Sequence, residues 1–404
     1  MDGPGELAEL SAAEILSAAE GLARRVTAHR RTIHAGPELS GQEHATCAYV
    51  EGVLDAMGIE HRRVLRTAIV ATIPGSRSQD GAVGLRADMD ALPITEAEGR
   101  EGYRSRNDGV MHACGHDGHV AVQLGVAELL ATVARPAKPV RLYFQPAEER
   151  DGGALPMVQA GALQGVSHDA ILALHCASHV PAGKVAYRHG PVTASVDEIT
   201  ITIQGQGGHA AHPETTIDPI PVAANLVTAA QQLLTREIDP VKPVVLTFGS
   251  IHGGTRPNVI ADEVRLELTV RSLDKSIRQF LLKRVAELTD SVAQTHRATA
   301  TVEVTNGYPV GLNDPRPTAV VATAATEVLG PENVILEDEP SMGSEDFFHF
   351  GDTGVEICMY RLGVGNAELG IEAPLHSPRF DLDESALPIG VAVMATAIRN
   401  LQAL

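Results

Sequence analysis

Apolar positions follow two different patterns along this chain, and the change from one to the other divides it. Near the start, Leu22, Val26 and Ile33 recur at near-helical spacing, and Cys47, Val50, Val53, Leu54 and Met57 share one face of a second predicted helix. Between them lies the Gly-Pro turn His34-Ala35-Gly36-Pro37-Glu38-Leu39-Ser40. Short apolar runs at 68–73, 83–87, 140–144 and 170–174, each bounded by turn residues, predict buried strands. The run Val120, Val122, Leu124, Val126, Leu129, Leu130 predicts a helix between the second and third of them. Past residue 191 the order changes to an alternating strand at 199–203, a helix at 220–234, strands at 244–248 and 264–270, a helix at 277–292 and a strand at 299–304. That β-α-β-β-α-β order is the signature of a ferredoxin-like sandwich. The first pattern resumes near Tyr308 with a helix at 318–329, a strand at 357–362 and a last helix from about Glu384. The reading is an α/β protein whose mainly parallel-sheet domain comprises residues 1–190 and 308–404, with a sandwich inserted at 191–307.

Polar residues of one chemical kind gather where the strands end. The strand 83–87 runs into Arg86-Ala87-Asp88-Met89-Asp90, and aspartates two apart on an extended segment face the same side, toward a cation or simply toward solvent. Met111-His112-Ala113-Cys114-Gly115-His116-Asp117-Gly118-His119 packs a thiol, three imidazoles and a carboxylate into nine positions. Cys-x-His offers two metal ligands, and the glycines beside His116 let backbone approach an ion; the alternative is a turn in which Asp117 N-caps the following helix. The strand 140–144 ends in Gln145-Pro146-Ala147-Glu148-Glu149, where one carboxylate can ligate while its neighbour serves as a general base, or both can lie on a charged turn. The run 170–174 ends in His175. Such repetition fits a site gathered at the carboxyl edge of a parallel sheet. In the sandwich, the glycine-rich loops around His209 and around Arg256 and Asn258 suit an oxyanion or a carboxylate, or are plain turns. His376 is the last candidate.

Composition narrows the partners. Lys+Arg 32 against Asp+Glu 51 gives a formal net charge of -19, which repels phosphate backbones and anionic lipids, and an aromatic fraction of 3% supplies little for base stacking. Neither nucleic acid nor membrane is expected as a partner. No basic segment followed by an apolar one opens the chain and no apolar run reaches membrane-spanning length, so a cytoplasmic protein without a secretory leader is expected. Cys47, Cys114, Cys176 and Cys358 are too scattered for a disulfide framework. Cys176, beside His175, points the other way on an extended segment and reads as core, as do Cys47 and Cys358. His112 and His119 read as supporting or capping residues, and His34, His44, His252 and His349 as structural or surface.

Taken together and in order, the stretches 37–40, 86–93, 111–119, 145–149, 207–211, 254–260, 343–347 and 376–381 resemble the amidohydrolase branch of the co-catalytic zinc peptidase clan. That clan includes aminoacylases, glutamate carboxypeptidases and succinyl-diaminopimelate desuccinylases. The likeness is strongest to N-acyl-amino-acid amidohydrolases, hippurate hydrolases and plant auxin-conjugate hydrolases. It implies a zinc-peptidase-like catalytic domain with an inserted lid and dimerisation domain. It implies two divalent ions, zinc, manganese, nickel or cobalt, held by Cys114, His116, Glu149, His175 and His376. Glu148 matches the general base, and Asp90 an aspartate that orients a ligand or tunes that base. An acidic residue, Asp88, stands where the wider clan has a ligand histidine, which leaves the division of duties between Asp88 and Asp90 open. His209 matches a donor to the oxyanion or substrate carboxylate supplied across a dimer, and Asn258 with Arg256 resembles part of a carboxylate pocket. Gln206 inside the glycine run and Ala261 in place of a proline depart from the pattern in loops that shape the substrate pocket.

The implied activity is hydrolysis of the amide of an N-acyl amino acid, N-acetyl, N-benzoyl or similar, to an amino acid and a carboxylic acid. A dipeptidase or carboxypeptidase using the same centre is the alternative within enzymes, and a binding protein that keeps the fold without catalysis is the alternative outside them. A homodimer is expected, with a tetramer as the larger form that some relatives take.

Overall fold

The computed structural model describes residues 4–404. The reading that no secretory leader is present starts on Met1, Asp2 and Gly3, which lie outside the described residues. The chain forms two compact units: one of residues up to Gly190 with Leu312–Glu339 and Asp346–Leu404, the other of Pro191–Gly311 with Pro340–Glu345. In chain order, the first unit supplies α1 (Ala12–Ala35), α2 (His44–Ala56), β1 (Glu60–Leu65), β2 (Ala68–Ile73), β3 (Ala82–Asp88), α3 (His116–Thr132), β4 (Val140–Gln145), β5 (His168–Pro181) and β6 (Val185–Tyr187). The second supplies β7 (Ser195–Gln204), β8 (Gly208–His209), α4 (Pro219–Arg236), β9 (Val244–Gly253), β10 (Val259–Ile260), β11 (Glu263–Ser272), α5 (Lys275–Thr295) and β12 (Thr299–Asn306). The chain then returns to the first unit with α6 (Pro315–Leu329), β13 (Val334–Leu336), β14 (Ile357–Gly365) and α7 (Ala386–Gln402).

The first unit is built on an eight-stranded sheet in the order β13-β6-β14-β5-β3-β4-β2-β1. At its centre β14, β5, β3 and β4 run parallel. Antiparallel β2 and β1 close one edge, while β6 runs antiparallel to β14 and parallel to β13 at the other. Every residue of β3 and of β4 is buried, because helices cover both faces of a parallel sheet; hence these strands read as unbroken apolar runs. The helix α1 starts on a capping box in which Ser11 and Glu14 satisfy each other's backbone N–H groups, and it buries Ile15, Ala19, Leu22, Val26 and Ile33 along one face. The larger of these, Ile15, Leu22, Val26 and Ile33, each contribute about 1.5–3 kcal/mol when fully buried. Against α1 pack α3 and α7, the former apolar and buried on nearly every side.

The second unit is the expected ferredoxin-like sandwich. Its antiparallel sheet has the order β9-β11-β7-β12. The alternating Ile199, Ile201 and Ile203 of β7 and Leu266, Leu268 and Val270 of β11 form one apolar face. Val222, Leu226 and Leu233 of α4 and Leu281 and Val285 of α5 cover it.

Two local expectations fail. Asp117 does not cap α3, which begins one residue earlier, at His116, behind a left-handed Gly115. The Asp117 carboxylate is instead bound by two partners from α1, the guanidinium of Arg30 and the ring of His34, each at 2.8 Å. His175 does not end its strand either: β5 continues to Pro181, with His175 in register opposite Arg361 of β14. A polar side chain leaves the backbone ladder intact, so the end of an apolar run is not the end of a strand. The strands β1, β6 and β13, absent from the sequence reading, lie at or next to the sheet edges and are charged or only three residues long. No helix among the described residues is long and apolar enough to cross a membrane.

Candidate metal centre

The site is assembled where β3 and β4 end side by side, since their last residues, Asp88 and Gln145, are register partners. Both segments then continue together. Two residues beyond β3, Asp90 turns back on the neighbouring segment, and its two carboxylate oxygens accept the backbone N–H groups of Glu148 and Glu149 at 3.1 and 3.0 Å. Asp90 is thus the anchor of the turn that presents the paired glutamates.

The helix α3 brings in the next group. His116, at its first position, is completely buried, and its Nδ1 donates to the backbone carbonyl of Asp90 at 2.9 Å. A carbonyl only accepts, so Nδ1 carries a proton, and in the neutral ring the lone pair is on Nε2. That Nε2 has no hydrogen-bond partner among the described residues, and lies 3.9 Å from Glu149 Oε1 and 4.0 Å from Glu148 Oε2. His175 repeats the arrangement: Nδ1 donates to the carbonyl of Cys176 at 2.8 Å, and Nε2 faces the sulfur of Cys114 at 3.7 Å. The last donor, His376, sits in a turn at a left-handed φ of 64°, and its N–H donates to the carbonyl of Ala113 at 2.7 Å. Its Nε2 is 3.3 Å from Glu149 Oε1.

Among the described residues, the donors fall into overlapping groups. Cys114, His116 and His175 form one trio of possible ligand atoms, all within 4.8 Å of one another; Cys114, Glu149 and His376 form another. The thiol of Cys114 is common to both. His116 also groups with Glu148 and Glu149. The five ligand-type residues named from the sequence therefore converge, with Glu148 beside them. Burial falls from His116 and Cys114 at the floor through half-buried Glu149 and His175 to the His376 ring, 52% exposed.

Electrostatically the pocket is dominated by the carboxylates of Asp88, Asp90, Glu148 and Glu149. Burial raises the Cys114 thiol well above its ordinary range, and Glu149, Glu148 and Asp88 push it further in the same direction. Burial opposes charge on His116, yet Asp88 and then Asp90 and Glu149 raise that ring to about 10. In Asp88 burial is overcome by Arg86, then His116 and His119, which hold the carboxyl well below its usual range. A buried Nε2 without a partner, two imidazoles with outward lone pairs, a thiol and two carboxylates fit borderline divalent cations.

Several supporting residues escaped the sequence reading. Arg86 reaches Asp88 at 2.7 Å, Gln145 at 2.8 Å and Asp346 at 3.0 Å, all buried. Its place two residues before Asp88 on a fully buried strand was the available signal. His112, read as a supporting or capping residue, is buried but neither ring nitrogen has a hydrogen-bond partner among the described residues.

The residues named from the sandwich lie in the second unit. There β8 and β10 form a two-stranded ribbon with His209 opposite Val259, and the N–H of Ala210 donates to the carbonyl of Asn258. The N–H of Ala211 donates to Nδ1 of His209 at 3.0 Å, which leaves Nε2 as the protonated, donating nitrogen of the neutral ring. His209, Arg256 and Asn258 are all exposed.

The chain is similar along nearly its whole length to proteins of several amide-cleaving kinds. It is 38% identical to thermostable carboxypeptidase 2 of Saccharolobus solfataricus over 91% of this chain and 92% of that one. It is 36% identical to the N-acetyl-L-cysteine deacetylase of Bacillus subtilis over 91% of this chain and 85% of that one. Its fold superposes on the crystal structure of the Bacillus subtilis YXEP protein, a dinuclear metal-binding peptidase of family M20, with a TM-score of 0.81 and 31% identity, covering 94% of this chain and 98% of that one. The model of peptidase family M20/M25/M40 matches residues 84–400, and the chain belongs to that family.

Proposed function

We propose that this protein is a two-metal amidohydrolase that cleaves the amide of an N-acyl amino acid, releasing the amino acid and a carboxylic acid. The observation that carries the reading is the convergence of Cys114, His116, Glu149, His175 and His376 in two trios that share the Cys114 sulfur. When bound there, a pair of divalent ions, zinc, manganese, nickel or cobalt, supplies a water of lowered pKa and polarises the scissile carbonyl. Their binding displaces the protons that the acidic surroundings favour on His116 and Cys114.

Glu148 accepts a proton from the attacking water and returns it to the leaving amine. Asp90 keeps that carboxylate aimed through the two backbone N–H groups it holds. His209, with Nε2–H as a donor, suits a substrate oxygen, and Arg256 and Asn258 suit the carboxylate of the amino acid. A relative named as a deacetylase favours acyl amino acids, and one named as a carboxypeptidase supports a second reading in which the amide belongs to a short peptide. The sandwich unit serves in this reading as the lid and dimerisation domain, and light scattering should give twice the 42.6 kDa chain mass, or four times for a tetramer. Four free cysteines suit a cytoplasmic, reducing location.

The deciding experiment is elemental analysis of protein purified without added metal or chelator. It is paired with amine release from N-acetyl and N-benzoyl amino acids and dipeptides, before and after metal stripping. The expected result is about two equivalents of a divalent ion, with hydrolysis lost on stripping and restored on readdition. A chain that never holds metal, or one that hydrolyses equally well when stripped, overturns the proposal; preference for dipeptides selects the second reading.

A further inference from the structure

The turn that joins α1 to α2 reaches the paired glutamates. Ser40 Oγ donates to Asp90 Oδ2 at 2.7 Å, and the N–H of Ala91 donates to the carbonyl of Glu38 at 2.8 Å. Glu43 follows at the N-terminal boundary of α2. It is completely buried, and its side chain makes no capping bond to the helix. Oε1 instead accepts the N–H of Gly41 at 2.7 Å and that of Ala147 at 2.9 Å. With the two bonds to Asp90, three successive backbone N–H groups, those of Ala147, Glu148 and Glu149, end on buried carboxylates. Ala147 has φ 56°, in the left-handed region that a residue with a Cβ occupies only when its surroundings hold it there.

We propose that Glu43 is a positioning residue: by accepting the Ala147 N–H it holds that peptide in the left-handed conformation and so aims Glu148 and Glu149. The inference rests on the two-metal reading of those glutamates. A residue that supports a metal ligand in this way typically matters about 10–100-fold in metal affinity. The side-chain oxygen that accepts the N–H is the feature required, and glutamine retains one. The strain at position 147 is the second feature, and glycine removes it, since it adopts positive φ without a Cβ penalty.

The test is zinc retention by the holoprotein in competition with a chelator, for the parent, Glu43→Ala, Glu43→Gln, Ala147→Gly and the double variant Glu43→Ala/Ala147→Gly. We expect Glu43→Ala to bind zinc about 10–100-fold more weakly, and Glu43→Gln to stay near the parent. The loss caused by Glu43→Ala should shrink in the Ala147→Gly background. A folded Glu43→Ala protein that holds zinc as tightly as the parent overturns the proposal, and so does Glu43→Gln binding as weakly as Glu43→Ala. Should Glu43→Ala alone fail to fold, a folded, zinc-binding double variant supports the proposal, and an unfolded one overturns it. A parent that binds none of zinc, manganese, nickel or cobalt removes the two-metal reading as well, which separates that failure from the others.

Discussion

Oδ1 of Asp88 lies 2.6 Å from Nδ1 of His119, and Nε2 of the same ring accepts the N–H of Cys176 at 2.8 Å. Because a backbone N–H only donates, the ring proton is on Nδ1 and both nitrogens of His119 are engaged. His119 therefore supports the site and is not a candidate ligand, although it stands near His116. Asp88 in turn binds Arg86 through its other oxygen, which lies 3.6 Å from His116 Nε2.

Asp88→Asn keeps the volume but removes one of the two buried carboxylates, Asp88 and Asp346, that Arg86 binds. Losing a hydrogen bond between buried charged groups costs about 1.5–3 kcal/mol, and disturbing a residue beside a ligand weakens metal binding by about 10–100-fold. Both changes are expected, by denaturant unfolding and chelator competition. Parent-like stability with parent-like metal retention would remove Asp88 from this role.

Glu148→Gln should keep the metal content of the parent while amide hydrolysis falls by about 10²- to 10⁴-fold, the usual worth of a positioned base. Elemental analysis and steady-state rates on the same preparation decide it. Near-normal turnover would assign the proton transfer elsewhere.

Glu96 gives a pH signature away from the metal centre. Burial works to raise its carboxyl, but hydrogen bonds from His34, Arg100 and the Ser105 N–H outweigh that and lower it from 4.5 to about 2. A depressed folded value stabilises the fold above about 4.5, and the benefit fades as pH falls toward about 2. Stability measured across that window should drop with acid in the parent and drop less in Glu96→Gln. Equal slopes would mean that the Glu96 interactions do not contribute.

At Gly125 of α3, an added Cβ would lie 2.7 Å from Val391 Cγ2 of α7 and 2.8 Å from Val26 Cγ2 of α1. Overpacking of this kind costs about 1–3 kcal/mol, against roughly 1 kcal/mol that alanine gains over glycine in a helix. Gly125→Ala is expected to lower the denaturant midpoint with an unchanged slope and unchanged metal content. A raised midpoint would show that the three helices can part to admit a methyl group.

The legible part of the fold is the part where burial imposes a period. The strand 68–73, apolar but for Thr72, and the alternating Ile199, Ile201 and Ile203 could be read directly, whereas Glu60-His61-Arg62-Arg63 on an edge strand carries no such pattern. The capping alternative for Asp117 fails because capping is a local preference, and the buried Arg30 and His34 of a helix some 85 residues earlier claim its carboxylate. At the site, Cys114 and His116 stand out by spacing alone. His376, far from them in sequence, is a bare candidate until the resemblance to a known motif gives it a role. Glu43 had no signal at all: its acceptor role depends on a backbone N–H about 100 residues away.

The interruption of the first unit by the second also sets an order in time. Four of the five proposed ligands have been synthesised by His175, but His376 follows about 200 residues later, after the whole sandwich unit. At roughly 5–20 residues per second of translation, that is a delay of about ten seconds or more. A nascent chain can gather two imidazoles, a thiol and a carboxylate early, yet it cannot close the second trio until its last elements emerge. During synthesis, any ion captured by the early donors would be held with an incomplete ligand set, and full retention would wait for the C-terminal turn to dock on Ala113.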